Sequence, residues 1–148
     1  LTTRDIEAEL LPFCADREIG VVPFCPLGRG LLTGALQNLT SFDPLDYRSN
    51  LPRFQGGNLK VNQEYAEAIM DFAMTKGLKP SQLALSWLLH QGKHVVPIPG
   101  MKTRKYLKEN LASAEVTFTE KELEELNDIK LNIQGDRYPE ANSKFLDI

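Results

Sequence analysis

Cysteine, histidine and tryptophan are scarce in this chain: its 148 residues contain two, two and one of them. Cys14 and Cys25 flank a predicted strand with no C-x-x-C spacing and no His ligand pattern nearby, so neither a zinc site nor a disulfide framework is indicated. They read as reduced thiols of a cytoplasmic protein. An excess of positive charge is also missing. Seventeen Lys and Arg stand against 20 Asp and Glu, the formal charge is -3 and the pI is near 5.4, with no basic stripe. This argues against a nucleic-acid surface, since phosphate backbones select clustered cations. No apolar run approaches the roughly 18 residues of a membrane span, and no basic, apolar, small-residue leader opens the chain. Internal repeats and low-complexity tracts are absent as well. What remains, 25% charged and 42% hydrophobic, is the composition of one soluble globular domain. The first residue is Leu1 rather than Met, which suggests a cut chain.

Periodicity and punctuation then lay out the elements. Thr2 or Thr3 can cap a helix with Ile6, Leu10, Phe13 and Cys14 on one face, bent where Pro12 removes a hydrogen bond. Gly20 leads into a strand through Val21 and Val22 to Cys25. Pro26 and the glycines Gly28, Gly30 and Gly34 end it. Residues 35–60 read as one long loop, of a length that usually marks a lid or a disordered segment. Its aromatic residues Phe42, Tyr47 and Phe54 fit either an apolar lid or anchors.

Tyr65, Ile69, Phe72 and Ala73 recur at helical spacing as far as Gly77. Pro80 suits the first turn of a further helix, apolar nearly all round through Leu83, Ala84, Leu85, Trp87, Leu88 and Leu89. Val95 to Ile98 has the β-branched bias of a buried strand. Thr103 caps a helix with Leu107, Leu111 and Ala114 inward, and Phe118-Thr119-Glu120-Lys121-Glu122-Leu123 holds both a capping box and a hydrophobic staple. Leu123, Leu126 and Ile129 continue that last helix, and a polar tail, 134–148, is expected to be loosely held. Strands separated by helices favour an α/β fold with parallel pairing. Two strands alone leave Val21, Val22, Val95 and Val96 uncovered, so partner strands are missing from the chain.

Two segments carry chemistry. In Val95 to Asn110, strand, turn and helix follow one another, and Gly100, Lys102 and Arg104 bring exposed backbone N–H groups, a helix dipole and two cations to one spot. A phosphate is favoured there. In Gly28-Arg29-Gly30-Leu31-Leu32-Thr33-Gly34 the glycines suggest the Gly-x-Gly-x-x-Gly dinucleotide fingerprint, but the third falls one residue late. What survives is a turn of Leu27, Gly28 and Arg29 at a strand's end, where backbone can approach a pyrophosphate and Arg29 can neutralise it.

Val22-Pro23-Phe24-Cys25-Pro26-Leu27-Gly28-Arg29-Gly30-Leu31-Leu32-Thr33-Gly34 and Val96-Pro97-Ile98-Pro99-Gly100, followed by Leu107-Lys108-Glu109-Asn110, resemble the cofactor-binding elements of the aldo-keto reductase family. The likeness covers nearly the whole chain and is nearest the perakine reductase-like and auxin-induced-protein-like branch. It implies the C-terminal portion of a (β/α)8 TIM barrel, from helix six through strands seven and eight to the C-terminus, incomplete as a barrel by itself. Residues 1–148 are then one segment whose partner is the missing N-terminal half. An incomplete barrel predicts that Trp87, Leu88, Val95 and Val96 face solvent; burial against the chain's own helices alone argues against it.

The resemblance implies NADP as cofactor. By position Phe24 replaces the aromatic, usually Tyr, that stacks on the nicotinamide, and Cys25 stands where Ser is common. Leu27, Gly28 and Arg29 match the pyrophosphate turn. Met101, Lys102, Tyr106, Glu109 and Asn110 match the adenosine end, with Met101 and Tyr106 departing from the Ser and the Arg or Gln often seen there. Lys102 and Arg104 are the expected partners of a 2′-phosphate. The implied activity is reduction of aldehydes or ketones to alcohols, with a small carbonyl compound as partner. The family's Asp, Tyr, Lys and His tetrad precedes anything present here, so no catalytic residue is assigned, and no metal ligand. Tyr47, Tyr65, Tyr106 and Tyr138 lack a supporting Lys and His, and His90 and His94 fall at a helix end and in a loop. Two other readings stay open: an inactive truncated fragment, and a nucleotide-binding redox-sensor module of the same fold.

Overall fold

The computed structural model describes residues 1–129 and 133–143. Helices α1 (Leu10–Asp16), α2 (Gly56–Thr75), α3 (Pro80–Leu89), α4 (Arg104–Leu111), α5 (Glu120–Asp128) and α6 (Glu140–Ser143) are joined by 3₁₀ turns and loops. No helix among the described residues is long and apolar enough to cross a membrane.

Where a helix end is set by local chemistry, the expected end is found. Thr103 caps α4 by accepting from the Tyr106 N–H at 3.2 Å. Thr119 and Glu122 form the capping box of α5, and the flanking Phe118 and Leu123 both pack on the main core. Pro80 is the first residue of α3. At the end of α2, Gly77 has φ 65°, its N–H reaches Met74 O at 3.0 Å and the Leu78 N–H reaches Ala73 O at 2.9 Å. That pair of bonds is a Schellman closure, which needs a left-handed residue.

The first helix departs from expectation. It is split into a 3₁₀ turn at Asp5–Glu7 and α1, which begins after Glu9, and no Thr side chain caps either. Arg4 governs the entry instead, gripping Glu7 through Nε at 2.9 Å and Nη2 at 2.7 Å and lying 5.3 Å from the Trp87 ring. Pro12 is the third residue of α1. A first-turn N–H has no helical acceptor to lose, so the expected broken bond does not arise.

The strands are the larger correction. Among the described residues the apolar runs at Val21 and Val95 form only one parallel bridge, with Val21 N–H to His94 O at 2.7 Å and Val96 N–H to Val21 O at 2.9 Å. The expected parallel sense is right, but no ladder extends from it. Pro23, Pro97 and Pro99 bring no N–H to such a ladder. The exposure test divides: Val96 is 52% exposed, whereas Val95 is 4% and Trp87 2% exposed and Leu88 is half-buried. Trp87 lies in a core shared with Tyr65, Ile69, Leu83 and Leu126, so its expected exposure was wrong. That core gathers faces of α2, α3 and α5.

A second core lies under the segment expected to be one long loop. Leu36, Leu51 and Phe54 bury themselves with Leu31, Leu59 and Ala66, and Phe42 packs alongside, edge-on to Phe54 at 5.5 Å. Phe42 and Phe54 are therefore anchors. The segment contains 3₁₀ turns at Tyr47–Asn50 and Pro52–Phe54, and α2 already begins at Gly56. The tail is also more firmly held than expected. Asn62, fully buried on α2, takes the Gln134 N–H at 2.8 Å and donates to Gln134 O at 2.9 Å, and Arg53 Nε donates to Gly135 O at 3.1 Å. Residues 144–148 of that tail lie outside the described residues.

Candidate functional site

The two chemistry-bearing segments meet. The turn after Val22 and the turn before α4 form the walls of one groove with a volume of 1120 Å³. Of the expected site residues, Phe24, Cys25, Leu27, Arg29, Gly100, Met101, Lys102, Tyr106, Glu109 and Asn110 line it. Gly28 lines instead an adjoining 320 Å³ cavity, which also takes in Phe24, Cys25 and Arg29. Arg104, the first residue of α4, lines neither; Lys105 is on the groove wall in its place.

The first wall is built from unusual backbone. Gly28, Gly30 and Gly34 have φ of 57°, 99° and 78°, and so, against their side chains' preference, do Cys25 at 48° and Arg29 at 56°. Left-handed non-glycine residues carry a cost, and they recur where a site requires a particular backbone course. A Cβ on Gly30 would meet Arg48 Nη1 at 3.2 Å. Arg48 in turn donates to Arg29 O at 3.1 Å, bonds Asp46 through Nε at 3.0 Å and Nη2 at 2.7 Å, and lies over the Phe42 ring at 4.5 Å. The long segment is thus fastened to the turn. Arg48's hydrogen bonds, and more weakly the Lys102 charge, hold the Asp46 carboxyl down at about 2.

Arg29 is caged. Its guanidinium carbon lies 5.0 Å from the Tyr47 ring, 5.3 Å from Tyr138 and 5.7 Å from Phe24, and Phe24 itself tilts against Tyr138 at 6.1 Å. Three rings from the turn, the long segment and the tail orient one cation beside the groove.

The second wall is polar and partly buried. Glu109 receives Lys79 Nζ on Oε2 and Ser81 Oγ on Oε1, the latter at 2.7 Å. Burial pushes its carboxyl up, but the hydrogen bonds from Lys79 and Ser81 and the charges of Lys79 and Lys105 outweigh that and hold it below its ordinary value. Asn110 is buried, and its Nδ2 has no hydrogen-bond partner among the described residues. A buried amide donor left unpaired is costly, and here it lines the groove. The helix is rolled differently from expectation: Leu107, Leu111 and Ala114 are exposed, while Asn110 and Ser113 face inward. Ser86 Oγ donates to Ser113 O at 2.8 Å and Ser113 Oγ to Asn110 O at 2.6 Å, so polar bonds rather than leucines seat this face.

Lys79, Ser81, Lys105, Arg48 and Tyr138 were not legible as site residues. Pro80 marks a helix start, but nothing local says that this start faces Glu109. His90 caps the end of α3, its Nδ1 2.8 Å from Ser86 O, and His94 lies in the loop before Val95, as expected of both.

The model of the aldo/keto reductase family matches residues 1–131. Among solved structures, the glycerol dehydrogenase of Gluconobacter oxydans is 28% identical with a TM-score of 0.77, over 86% of this chain and 38% of that one. An aldo/keto reductase of Klebsiella pneumoniae, described in complex with NADP and acetate, is 22% identical with a TM-score of 0.59, over 93% of this chain and 40% of that one. The chain therefore spans about two fifths of the length of these solved relatives.

Proposed function

Because the chain belongs to the aldo/keto reductase family, we propose that it is the dinucleotide-holding portion of an NADP(H)-dependent oxidoreductase that reduces aldehydes or ketones to alcohols. In this reading its segments correspond to helix six through strands seven and eight of the barrel. The observation that carries it is the meeting of both turn segments on one groove, with the cations Arg29, Lys102 and Lys105 along the wall and the unpaired Asn110 amide within it.

These residues fit a phosphorylated dinucleotide. Phe24 is 58% exposed and offers a ring face to a planar base. Arg29, fixed by its three rings, is suited to a pyrophosphate, and Lys102 and Lys105 to a further phosphate. Glu109 and Asn110 supply an acceptor and a donor side by side for a heterocycle. The reduced nicotinamide, when held at Phe24, supplies hydride to the carbonyl carbon of the substrate. The proton that completes the reduction is assigned to a residue outside this chain. Relatedness to a glycerol dehydrogenase supports alcohol–carbonyl chemistry without naming the substrate.

The test is a fluorescence titration with NADPH and NADH. Lys102→Ala and Lys105→Ala are expected to weaken NADPH about tenfold, from the worth of a charged hydrogen bond, and NADH less than twofold. Arg104→Ala has a smaller effect than Lys105→Ala. Equal losses for both nucleotides would reject a 2′-phosphate role.

A further inference from the structure

We infer that Lys79 and Ser81, at the start of α3, are positioning residues that fix the Glu109 carboxylate as an acceptor for the amino group of a purine in the groove. The inference rests on the dinucleotide reading above and assigns a role to residues outside both of its turn segments.

The geometry is a two-level clamp. At the side-chain level, Lys79 and Ser81 each hold a different oxygen of Glu109. At the backbone level, Gln82 Nε2 donates to the Glu109 carbonyl at 3.3 Å while Gln82 Oε1 accepts the Lys79 N–H at 3.0 Å. The first turn of α3 is therefore tied to α4 through Glu109 twice. A carboxylate offers about four acceptor positions. Lys79 and Ser81 take one on each oxygen, and those that remain point in directions the clamp dictates.

Next to this fixed acceptor in the chain is an open donor. Asn110, the next residue, is buried on the inward face of α4, and its amide Nδ2 is unpaired among the described residues. An acceptor next to a donor complements an edge carrying an amino group beside a ring nitrogen, which adenine has. It opposes the corresponding edge of hypoxanthine, whose 6-oxo group would face the carboxylate. Without the clamp, Glu109 could rotate away, and its largely covered carboxylate would lose the cation that offsets its burial.

An ion pair serving only to join two helices would stabilise the fold without reading a base. The experiment separates these roles by comparing NADPH with its hypoxanthine analogue in fluorescence titrations of the intact protein. The wild type is expected to prefer NADPH about tenfold, the worth of one charged hydrogen bond. Lys79→Met and Ser81→Ala are expected to shrink that preference to about twofold, and Lys79→Arg to restore it, with thermal melts confirming that each variant is folded. Should Lys79→Met fail to fold, Ser81→Ala and Lys79→Arg still decide the matter. A wild-type preference that neither Lys79→Met nor Ser81→Ala alters would overturn the clamp while leaving the dinucleotide reading intact. Equal wild-type binding of both nucleotides overturns it too. Binding of neither defeats the dinucleotide reading itself.

Discussion

Asn62 is expected to be the costliest polar residue to remove. It is fully buried on α2, and its amide makes three hydrogen bonds: Nδ2 donates to Arg53 O at 2.8 Å and to Gln134 O at 2.9 Å, and Oδ1 accepts the Gln134 N–H at 2.8 Å. One side chain thus joins the long segment, α2 and the tail. Each bond contributes about 1 kcal/mol net, and leaving backbone groups unpaired in a closed site adds to the loss. Asn62→Ala should therefore cost about 3 kcal/mol in urea unfolding, and about 10 °C in Tm for a chain of this length. Asn62→Asp keeps the shape and one acceptor but turns a carboxylate toward two carbonyl oxygens, so its loss at neutral pH should equal or exceed that of alanine. Limited proteolysis should also cut the tail sooner, because Gln134 precedes the Tyr138 that covers Arg29. A loss below about 1 kcal/mol for Asn62→Ala would refute the reasoning, since it would mean that these backbone groups find water as easily as they find Asn62.

The Tyr65 hydroxyl is buried with no hydrogen-bond partner among the described residues, and burial drives its phenol well above the ordinary value against the pull of Arg4. Tyr65→Phe should leave stability unchanged or raise it by up to about 1 kcal/mol; a loss of that size in urea titration would reveal a partner. Lys76 and Thr119 hold the Glu122 carboxyl down at about 2, against an ordinary 4.5. A depressed acid contributes stability that is present above 4.5 and is lost as pH falls toward 2, so Lys76→Met should lower the neutral plateau of a stability–pH curve modestly, flatten its acid limb between those values and leave the region near pH 2 little changed.

Features set within a few residues could be read from sequence. Thr103, Thr119 with Glu122 and Gly77 act on backbone groups three or four positions away, and Pro80 acts through its own missing N–H, so their chemistry is complete in the local string. The Arg29 cage joins residues 24, 29, 47 and 138, and the Glu109 clamp joins 79, 81 and 109. Such juxtapositions depend on how distant elements pack. The strand runs were legible as apolar and parallel, yet pairing is a property of two backbones, and prolines at 23, 97 and 99 supply it with no donors.

Helix α4 shows why periodicity alone misplaces a site. Leu107, Leu111 and Ala114 share a face, and an apolar face is the natural choice for the inside. Spacing says which residues travel together and not which way they turn. Here the roll is set by Ser86, Ser113 and Asn110, whose hydrogen bonds draw the polar face inward and leave the leucines exposed. That roll places Asn110 in the groove and brings Glu109 within reach of Lys79 and Ser81. Replacing Ser86 or Ser113 with alanine loosens the seam that aims the site, so the same bonds that defeat a hydrophobic reading of α4 are the ones that give its end a binding surface.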